Sequence, residues 1–369
     1  MEWFSKLEII FVFWTLILLG YYLVFWRRLL IFKPSTKSFS NFPFVSVIIC
    51  AKNESDNLLN FIPEVVGQDY PAYEVIVVDD ASSDDSLKIL KQLSTQYNNL
   101  RVFSFDFKKY SHGKKEVLEY GISQAKSDYL VLTDADCRPN SHNWLKTMVN
   151  GFSDGSELVC GVGQYEKRNS NINQLIQVDT GFIAVNYLSF ALAKLPYMSV
   201  GRNVAYKKDL FYKIGGFESH YDVPGGDDDL LVNQLPKNTK VSIVISSYGQ
   251  TKSVPKDSFK SFFLQKIRHV SAGINYNVRN KIILSVFYSS VVFWYLLLPI
   301  IFCNQNQLFV ISTLIVLKKI TMYSLIRRIF IKIELDAKPL MILLAEFYSV
   351  FIHSFAVLLT IFKSKKGKW

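Results

Sequence analysis

The feature that most restricts the fold of this chain is an uncharged apolar run near its start, IIFVFWTLILLGYYLVFW at residues 9–26. The run continues through RRLLIF, and together these residues are long enough for one membrane-spanning helix within residues 1–32. A cleaved signal peptide is the alternative, but no small-residue cleavage site follows the run. Because Arg27 and Arg28 follow the apolar residues, the positive-inside rule predicts that the next part of the chain lies in the cytoplasm, at the cytoplasmic (inner) membrane.

Apolar segments also dominate the last part of the chain. The run IILSVFYSSVVFWYLLLPIIFC is again long enough to span a membrane. Two further segments are less pure, since one carries Lys318 and Lys319 and the other carries Glu346 and His353. Glu346 and His353 are simplest to interpret as a snorkelling or bundle-facing pair. We therefore predict transmembrane or interfacial helices over residues 281–369.

The charge distribution restricts the partners. The chain has a net charge of +11, and from residue 281 onward 11 basic residues stand against 3 acidic ones. Most of the basic excess thus belongs to the membrane part, where it suits anionic headgroups and gives no nucleic-acid footprint. The four cysteines are scattered without metal-ligand spacing, which fits ordinary thiols in a reducing compartment.

A folded domain is predicted between the apolar regions, over residues 45–280, after the polar linker KPSTKSFSNFPF. Four strands are predicted there, VSVIIC, YEVIVVDD, LRVFSF and DYLVLTD, with helical segments between them. Continuous apolar runs with intervening helices indicate parallel strands that are buried on both faces, and ligands bind at the carboxyl ends of such strands. The chain has no Gly-rich dinucleotide fingerprint and no Walker lysine loop, so a nucleotide would be held through acidic residues and a metal.

Three acidic groups follow predicted strands or a Gly-Gly pair: Asp79-Asp80, Asp134 with Asp136, and Asp227–Asp229. On an extended chain Asp134 and Asp136 would point the same way, because side chains alternate. Each group alone is also explained as a polar turn or a helix cap. Their occurrence in one domain predicts a site where Mn²⁺ or Mg²⁺ meets phosphate oxygens.

The chain resembles the membrane-anchored family-2 glycosyltransferases of the GT-A fold in seven segments, which follow the family's order: VSVIICAKNE, YEVIVVDDASSDDS, HGKKEVLEYGI, YLVLTDADC, GRNVAYKKDLFYKIGGF, GGDDDLL and QKIRH. The resemblance implies an α/β domain of the GT-A type, with a Rossmann-like mixed sheet, flanked by transmembrane helices. It implies inverting transfer of a sugar from a nucleotide-diphospho-sugar, expected to be UDP-linked, to a lipid-linked or envelope-glycan acceptor.

The resemblance also implies roles for individual residues. Asp134 and Asp136 match the DxD motif and would hold the metal. The residues implied at the donor are Ala51, Asn53, Glu54, Asp79, Asp80, Lys114, Asp134, Gln265 and Arg268. The residues implied on the acceptor side are Gly201, Asn203 and His269. His269 stands where the family's Q-x-x-R-W motif has tryptophan.

Asp227 aligns with the catalytic base of the family, and Asp228 is its rival because the usual preceding glutamate is Gly226 in this chain. At a helix start only one of the two neighbours can point into a cleft, while the other caps or braces it. We expect Asp227 to be the base.

Alternatives remain open. Within the same class, the enzyme can be a polyprenyl-phosphate sugar transferase. From another class, a non-catalytic membrane regulator with a receiver-like domain is suggested by VVDD alone, and its required phosphorylatable aspartate and lysine find no convincing match. The apolar stretch 171–195 fits a helix on the membrane and a core helix equally well.

Overall fold

The computed structural model describes residues 6–105, 113–223, 225–303 and 308–364. Its strands are β1 Val45–Ala51, β2 Tyr73–Asp79, β3 Leu100–Ser104, β4 Tyr129–Leu132, β5 Cys137–Pro139, β6 Leu158–Gly161, β7 Gly163–Tyr165, β8 Val204–Lys207, β9 Val241–Val244 and β10 Thr251–Ser253. Its α-helices are α1 Lys6–Tyr21, α2 Arg27–Ile31, α3 Ser55–Val66, α4 Ser86–Gln96, α5 Lys114–Gln124, α6 Trp144–Asn150, α7 Asn171–Leu192, α8 Lys208–Lys213, α9 Asp229–Asn233, α10 Phe259–Gly273, α11 Val278–Cys303, α12 Leu308–Lys332 and α13 Pro339–Ser364.

The chain divides into two compact units. The α/β unit comprises the described parts of residues 33–166 and 194–255, and the helical unit those of residues 1–32, 167–193 and 256–369. This division differs from the predicted single domain over residues 45–280. The apolar helices α7 and α10 belong to the helical unit, because their neighbours there are α13 and, for α7, also α2 and α12.

A seven-stranded mixed sheet forms the centre of the α/β unit, in the order β3-β2-β1-β4-β8-β6-β9. Strands β3, β2, β1 and β4 run parallel, as the sequence predicted, whereas β8 is antiparallel to both β4 and β6. A second sheet has the order β5-β10-β7. The carboxyl ends of β1, β2 and β4 therefore lie side by side, so the residues that follow these strands share one edge of the sheet.

Helices cover both faces of the parallel strands. In β1, Val45, Val47 and Ile49 alternate into the core that holds Leu58 and Ile62 of α3. The intervening residue Ile48 faces α5, where a Cβ on Gly121 would approach Ile48 Cγ2 to 3.0 Å. Because successive side chains of this strand are buried on opposite faces, VSVIIC is mainly apolar, and its buried Ser46 hydroxyl donates to Glu74 Oε1 at 2.7 Å.

The helical unit is built from long apolar helices. Five stretches are long and apolar enough to cross a membrane: residues 6–31, 171–192, 278–303, 309–332 and 339–360. A π-helical turn over Tyr22–Trp26 joins α1 to α2 without interrupting the first of them. Most residues of α7 are buried within the protein, which agrees with the core-helix interpretation of this stretch.

Charged side chains inside the helical unit are sealed and paired. Lys318 and Glu346 form an ion pair in which both side chains are 0% exposed, and Tyr22 also donates a hydrogen bond to Glu346. Asp179 lies 2.5 Å from Lys266 Nζ and accepts a hydrogen bond from the Ser349 hydroxyl. Glu346 therefore faces the helix bundle, in agreement with the bundle-facing interpretation of this residue.

Candidate active site

A tight turn after β4 brings Asp134 and Asp136 together. The Cys137 N–H donates to the Asp134 carbonyl oxygen at 3.1 Å, so residues 134–137 form a turn that leads directly into β5. One ligand atom from each of Asp134, Asp136 and Cys137 lies within 4.8 Å of the other two. The two carboxylates converge, but the argument from an extended chain was wrong, because the strand ends at Leu132 and the turn brings them together.

The donor set at this turn suits a hard divalent cation. The Cys137 thiol is buried, lies 2.8 Å from Ser253 Oγ and donates to Asp136 Oδ1 at 3.2 Å, and burial raises its pKa well above the ordinary value. This leaves carboxylate oxygens as the available ligands, which is the chemistry that Mn²⁺ and Mg²⁺ prefer. Burial and the neighbouring Asp134 raise the pKa of Asp136, because an ionised Asp136 is poorly hydrated and is repelled by the Asp134 carboxylate.

Lys114 connects this turn to a second acidic group. It is the first residue of α5, after Gly113 at φ 68°, and its Nζ lies 2.7 Å from Asp134 Oδ1 and 2.9 Å from Asp227 Oδ2. Burial lowers the pKa of Lys114, but Asp134 and Asp227 outweigh burial and raise it well above its usual value. The Lys114 ammonium group thus joins two carboxylates, Asp134 and Asp227, and all three residues lie in separate segments of the sequence.

A glycine pair presents Asp227. Gly225 and Gly226 have φ values of 74° and 81°, in the left-handed region that favours glycine. A Cβ on Gly226 would also lie 2.6 Å from Leu230 Cδ1. The left-handed backbone and the nearby Leu230 side chain therefore disfavour a glutamate before Asp227, because a side chain there would be strained.

Asp227 and Asp228 differ in their contacts and in their pKa values. Asp228 caps α9, accepting hydrogen bonds from the Asp229 N–H at 2.8 Å and the Gly201 N–H at 2.6 Å. Burial, Asp227 and Asp229 raise the pKa of Asp228 to about 8. Burial also acts to raise the pKa of Asp227, but Lys114 reverses the shift and holds it below the usual value. Asp227 is therefore the neighbour that is ionised and that faces Lys114.

The predicted nucleotide residues lie on two loops at the same sheet edge. The Asp80 N–H donates to the Ala51 carbonyl oxygen at 2.7 Å, and Asn53 Oδ1 accepts from the Ser83 N–H at 2.8 Å. Lys52 Nζ lies 3.5 Å from Asp80 Oδ1. These contacts hold the loops after β1 and β2 together.

Asp79 and Glu54, two members of the predicted nucleotide set, differ in how their polar atoms are hydrogen-bonded. Asp79 is 1% exposed, and its Oδ1 has no hydrogen-bond partner within the described ranges. The Glu54 N–H donates to Ser86 Oγ at 2.9 Å. Asp79 is thus the member of the predicted nucleotide set that still has a buried polar atom free to accept a hydrogen bond.

The structure places the predicted acceptor-side residue Asn203 in the core. Its side chain is fully buried, donates to the Val162 and Gly249 carbonyl oxygens and accepts from Trp144 Nε1. All of these contacts lie in the core of the α/β unit, so the Asn203 amide holds the polypeptide, and its role on the acceptor side stays a prediction. Gly201, which begins the 3₁₀ turn Gly201–Asn203, contributes its N–H to Asp228.

The glycines of the segment GVG, residues 161–163, serve close packing. A Cβ on Gly161 would lie 2.4 Å from Asn203 Nδ2, and one on Gly163 would lie 2.4 Å from Arg202 Nε.

Sequence reasoning missed two residues at the site. The buried hydroxyl groups of Ser199 and Tyr206 line the cleft beside Lys114 and have no hydrogen-bond partner in the described part of the chain. No motif in the sequence signals either hydroxyl.

Three predicted residues lie on α10 in the helical unit, namely Gln265, Arg268 and His269. Arg268 and His269 are exposed and Gln265 is half-buried. Their roles at donor and acceptor stay predictions.

Comparison with known proteins finds glycosyltransferases that are similar to part of this chain. Residues 46–215 match the family model described as Glycosyl transferase family 2. Glycosyltransferase AglE of Haloferax volcanii is 34% identical over 197 residues, which cover 51% of this chain and 60% of that protein. Cholesterol galactosyltransferase of Borreliella burgdorferi is 28% identical over 191 residues, which cover 52% of this chain and 48% of that protein. The chain thus spans about half the length of the curated relatives it matches.

A solved structure resembles the whole chain. Mannosyltransferase PcManGT from Pyrobaculum calidifontis, in complex with GDP-Man and Mn²⁺, aligns with a TM-score of 0.60 at 18% identity, over 94% of this chain and 99% of that one. This likeness confirms the predicted GT-A-type α/β fold. The receiver-like alternative finds no support in these comparisons.

Proposed function

We propose that this chain, whose residues 46–215 match the family model described as Glycosyl transferase family 2, transfers a sugar from a nucleotide-diphospho-sugar to a lipid-linked or envelope-glycan acceptor, with inversion at the anomeric carbon. The observation that carries the proposal is the position of Lys114, 2.7 Å from Asp134 and 2.9 Å from Asp227. A carboxylate suited to bind a metal (Asp134), a cation suited to bind a diphosphate (Lys114) and a candidate base (Asp227) thus meet in one cleft.

The donor side is assigned to the DxD turn and to Lys114. Asp134 and Asp136 would hold Mn²⁺ or Mg²⁺, which when bound supplies positive charge against the leaving diphosphate. The Lys114 side chain is 44% exposed, so its ammonium group can reach donor phosphate oxygens. Asp79, Asp80, Ala51, Asn53 and Glu54 would line the base and ribose pocket.

The acceptor side is assigned to Asp227. The acceptor hydroxyl oxygen forms a bond to the anomeric carbon, the bond from that carbon to the diphosphate oxygen breaks, and the nucleoside diphosphate leaves with the electron pair. Asp227 takes the hydroxyl proton, which requires an ionised carboxylate. Asp228 braces the turn through Gly201 and Asp229.

A lipid acceptor is supported by two observations. Five helices of the described chain are long and apolar enough to cross a membrane. One relative is named for galactosyl transfer to cholesterol, a lipid. With Arg27 and Arg28 after the first apolar run, we place the reaction on the cytoplasmic face, and we expect a UDP-linked donor.

The test is a transfer assay with the full chain in lipid nanodiscs. UDP-sugars and GDP-mannose serve as donors, and polyprenyl phosphate, diacylglycerol and cholesterol serve as acceptors, with Mn²⁺, Mg²⁺ or EDTA. Metal-dependent release of nucleoside diphosphate together with a glycosylated lipid supports the proposal, and polyprenyl phosphate as the accepted lipid selects that alternative. Full activity in EDTA, or no sugar transfer from any of these donors, overturns it.

A further inference from the structure

Lys115, the neighbour of Lys114, is buried in a different direction. Lys115 is one of the buried residues of α5, with 3% of its surface exposed. Its Nζ donates to the carbonyl oxygen of His220 at 2.5 Å and to that of Val223 at 2.6 Å. Two consecutive lysines therefore reach two parts of one site: Lys114 the carboxylates, and Lys115 the polypeptide that leads to Asp227.

The segment that Lys115 holds comes shortly before the catalytic turn. The Val223 N–H donates to the His220 carbonyl oxygen at 3.1 Å, so residues 220–223 form a turn of their own. After it come Gly225 and Gly226, both with positive φ. Glycine leaves a backbone with more accessible conformations than any other residue, so contacts outside the glycine pair help to fix this part of the loop.

The other end of the loop is held independently. Asp228 binds the N–H groups of Gly201 and Asp229, which attaches the residue after Asp227 to the 3₁₀ turn and to α9. Asp227 thus lies between two attachments, Lys115 before the glycine pair and Asp228 after it. Loss of either attachment would leave the Asp227 backbone connected to the framework on one side only, with the carboxylate still in contact with Lys114.

Burying the Lys115 ammonium group is costly, and burial lowers its pKa, whereas Asp227, Asp229 and Asp222 raise it. Removing a lysine charge from water is unfavourable unless hydrogen bonds and opposite charge compensate. The burial of this ammonium group is compensated by its two hydrogen bonds to carbonyl oxygens and by its attraction to the acidic turn.

We propose that Lys115 is a positioning residue for Asp227: it fixes the loop through the carbonyl oxygens of His220 and Val223, so that the carboxylate stays aligned with the acceptor hydroxyl. This inference rests on the proposed function, in which Asp227 accepts the proton. A misplacement on the order of 1 Å at a reacting group can lower turnover about 100-fold.

The first experiment compares Lys115→Met with a matched control. Lys208 also donates its Nζ to a backbone carbonyl, that of Ala125 at 2.8 Å just after α5, so Lys208→Met makes the same chemical change away from the site. Lys115→Met should lower kcat roughly 10-fold to 100-fold with donor affinity unchanged. Lys115→Gln, which keeps N–H donors, should recover part of the loss, and Lys208→Met should leave kcat unchanged. Equal losses in Lys115→Met and Lys208→Met, or a parallel loss of donor affinity, would overturn the assignment.

The second experiment places Lys115→Met in an Asp227→Asn background. A positioning residue acts through the group it positions, so the added loss should shrink to less than about 3-fold once Asp227 cannot accept a proton. A loss of the same factor in both backgrounds would show that Lys115 acts elsewhere and would overturn the proposal.

Amide hydrogen exchange separates this inference from the proposed function. Lys115→Met should speed exchange at residues 220–223 and 225–229, while Lys208→Met should not, whether or not a donor has been found. Unchanged exchange in that loop would overturn the Lys115 assignment alone. Absence of transfer by the unaltered chain, with faster exchange in Lys115→Met, would instead reject the reaction and keep the structural attachment.

Discussion

The lysine–carboxylate contacts at the candidate site of the α/β unit and in the interior of the helical unit differ in their exposure to solvent. In the α/β unit, the side chains of Lys114, Asp134 and Asp227 are 44%, 34% and 15% exposed. In the helical unit, Lys318 and Glu346 are both 0% exposed. Both are short lysine–carboxylate contacts, but of these two only the contact in the α/β unit is open to solvent.

This difference indicates which charges can take part in chemistry. A partly exposed lysine can leave one carboxylate for a phosphate without stranding a charge, because water and the ligand replace the lost partner. A sealed pair has no such replacement, and separating it leaves an uncompensated charge in an apolar interior. We therefore assign substrate chemistry to the α/β unit and a structural role to the buried pairs of the helical unit.

The two largest effects should come from the DxD turn and from the base, and the DxD turn is taken first. Asp136→Ala, or chelation of the metal, should lower transfer by roughly 1,000-fold, because positive charge on the leaving diphosphate is lost. The melting temperature should change little, since Asp136 is not part of a sealed pair. Asp154→Ala, which removes another loop carboxylate of the same unit, is the control and should keep its turnover. Near-normal transfer by Asp136→Ala in EDTA would contradict the DxD assignment.

The next effect concerns the base. Asp227→Asn keeps the shape of the side chain and removes proton acceptance, so turnover should fall roughly 100-fold to 10,000-fold while donor binding survives. Asp228→Asn should act mainly on the stability of the loop, since Asp228 is occupied by the N–H groups of Gly201 and Asp229. The roles are reversed if Asp228→Asn loses turnover at unchanged nucleotide affinity and Asp227→Asn retains it.

The sealed pair should respond through stability instead of turnover. Glu346→Ala leaves the Lys318 charge buried and should destabilise the helical unit by about 3–5 kcal/mol, measured by thermal unfolding in detergent. Replacing both residues, Lys318→Met with Glu346→Leu, should restore most of that loss. Asp336, whose side chain is 82% exposed, pairs with Lys167 in the same unit, and Asp336→Asn should cost less than about 1 kcal/mol. A double variant as unstable as Glu346→Ala would contradict the structural role.

The smallest effect is a pH dependence of the α/β unit. His220 is 5% exposed, and burial, with help from Lys115, lowers its pKa from 6.5 to about 4. Between these two pH values the unfolded chain binds more protons than the folded one, so stability falls as the pH drops through this window. Unfolding at pH 7 and pH 5 should differ by up to about 2 kcal/mol from this group. His220→Gln should reduce the difference, and an undiminished difference would show that other groups cause it.

Sequence patterns were sufficient where the determining interactions are local. The runs VSVIIC and YEVIVVDD became β1 and β2 with buried residues on both faces, because uninterrupted apolar strands need covering on both sides. They say less where packing decides. Three core groups use the Asn203 amide, which no local pattern signals, and its acceptor-side role stays a prediction. The domain over residues 45–280 likewise stays a prediction, while the grouping of α7 and α10 with the helical unit depends on which apolar surfaces they meet.

The sequence by itself determined the apolar spans, the parallel strands and the positions of the acidic residues at strand ends, because hydrophobic period and residue type act over a few neighbours. Only the tertiary structure decided that Lys114 meets both Asp134 and Asp227, that Lys115 holds the loop before Asp227, and that a side chain in place of Gly226 would be strained. These contacts join residues far apart along the chain. They exist because the order of strands in the sheet brings the end of β4, the start of α5 and the start of α9 to one edge, and no local pattern encodes that order.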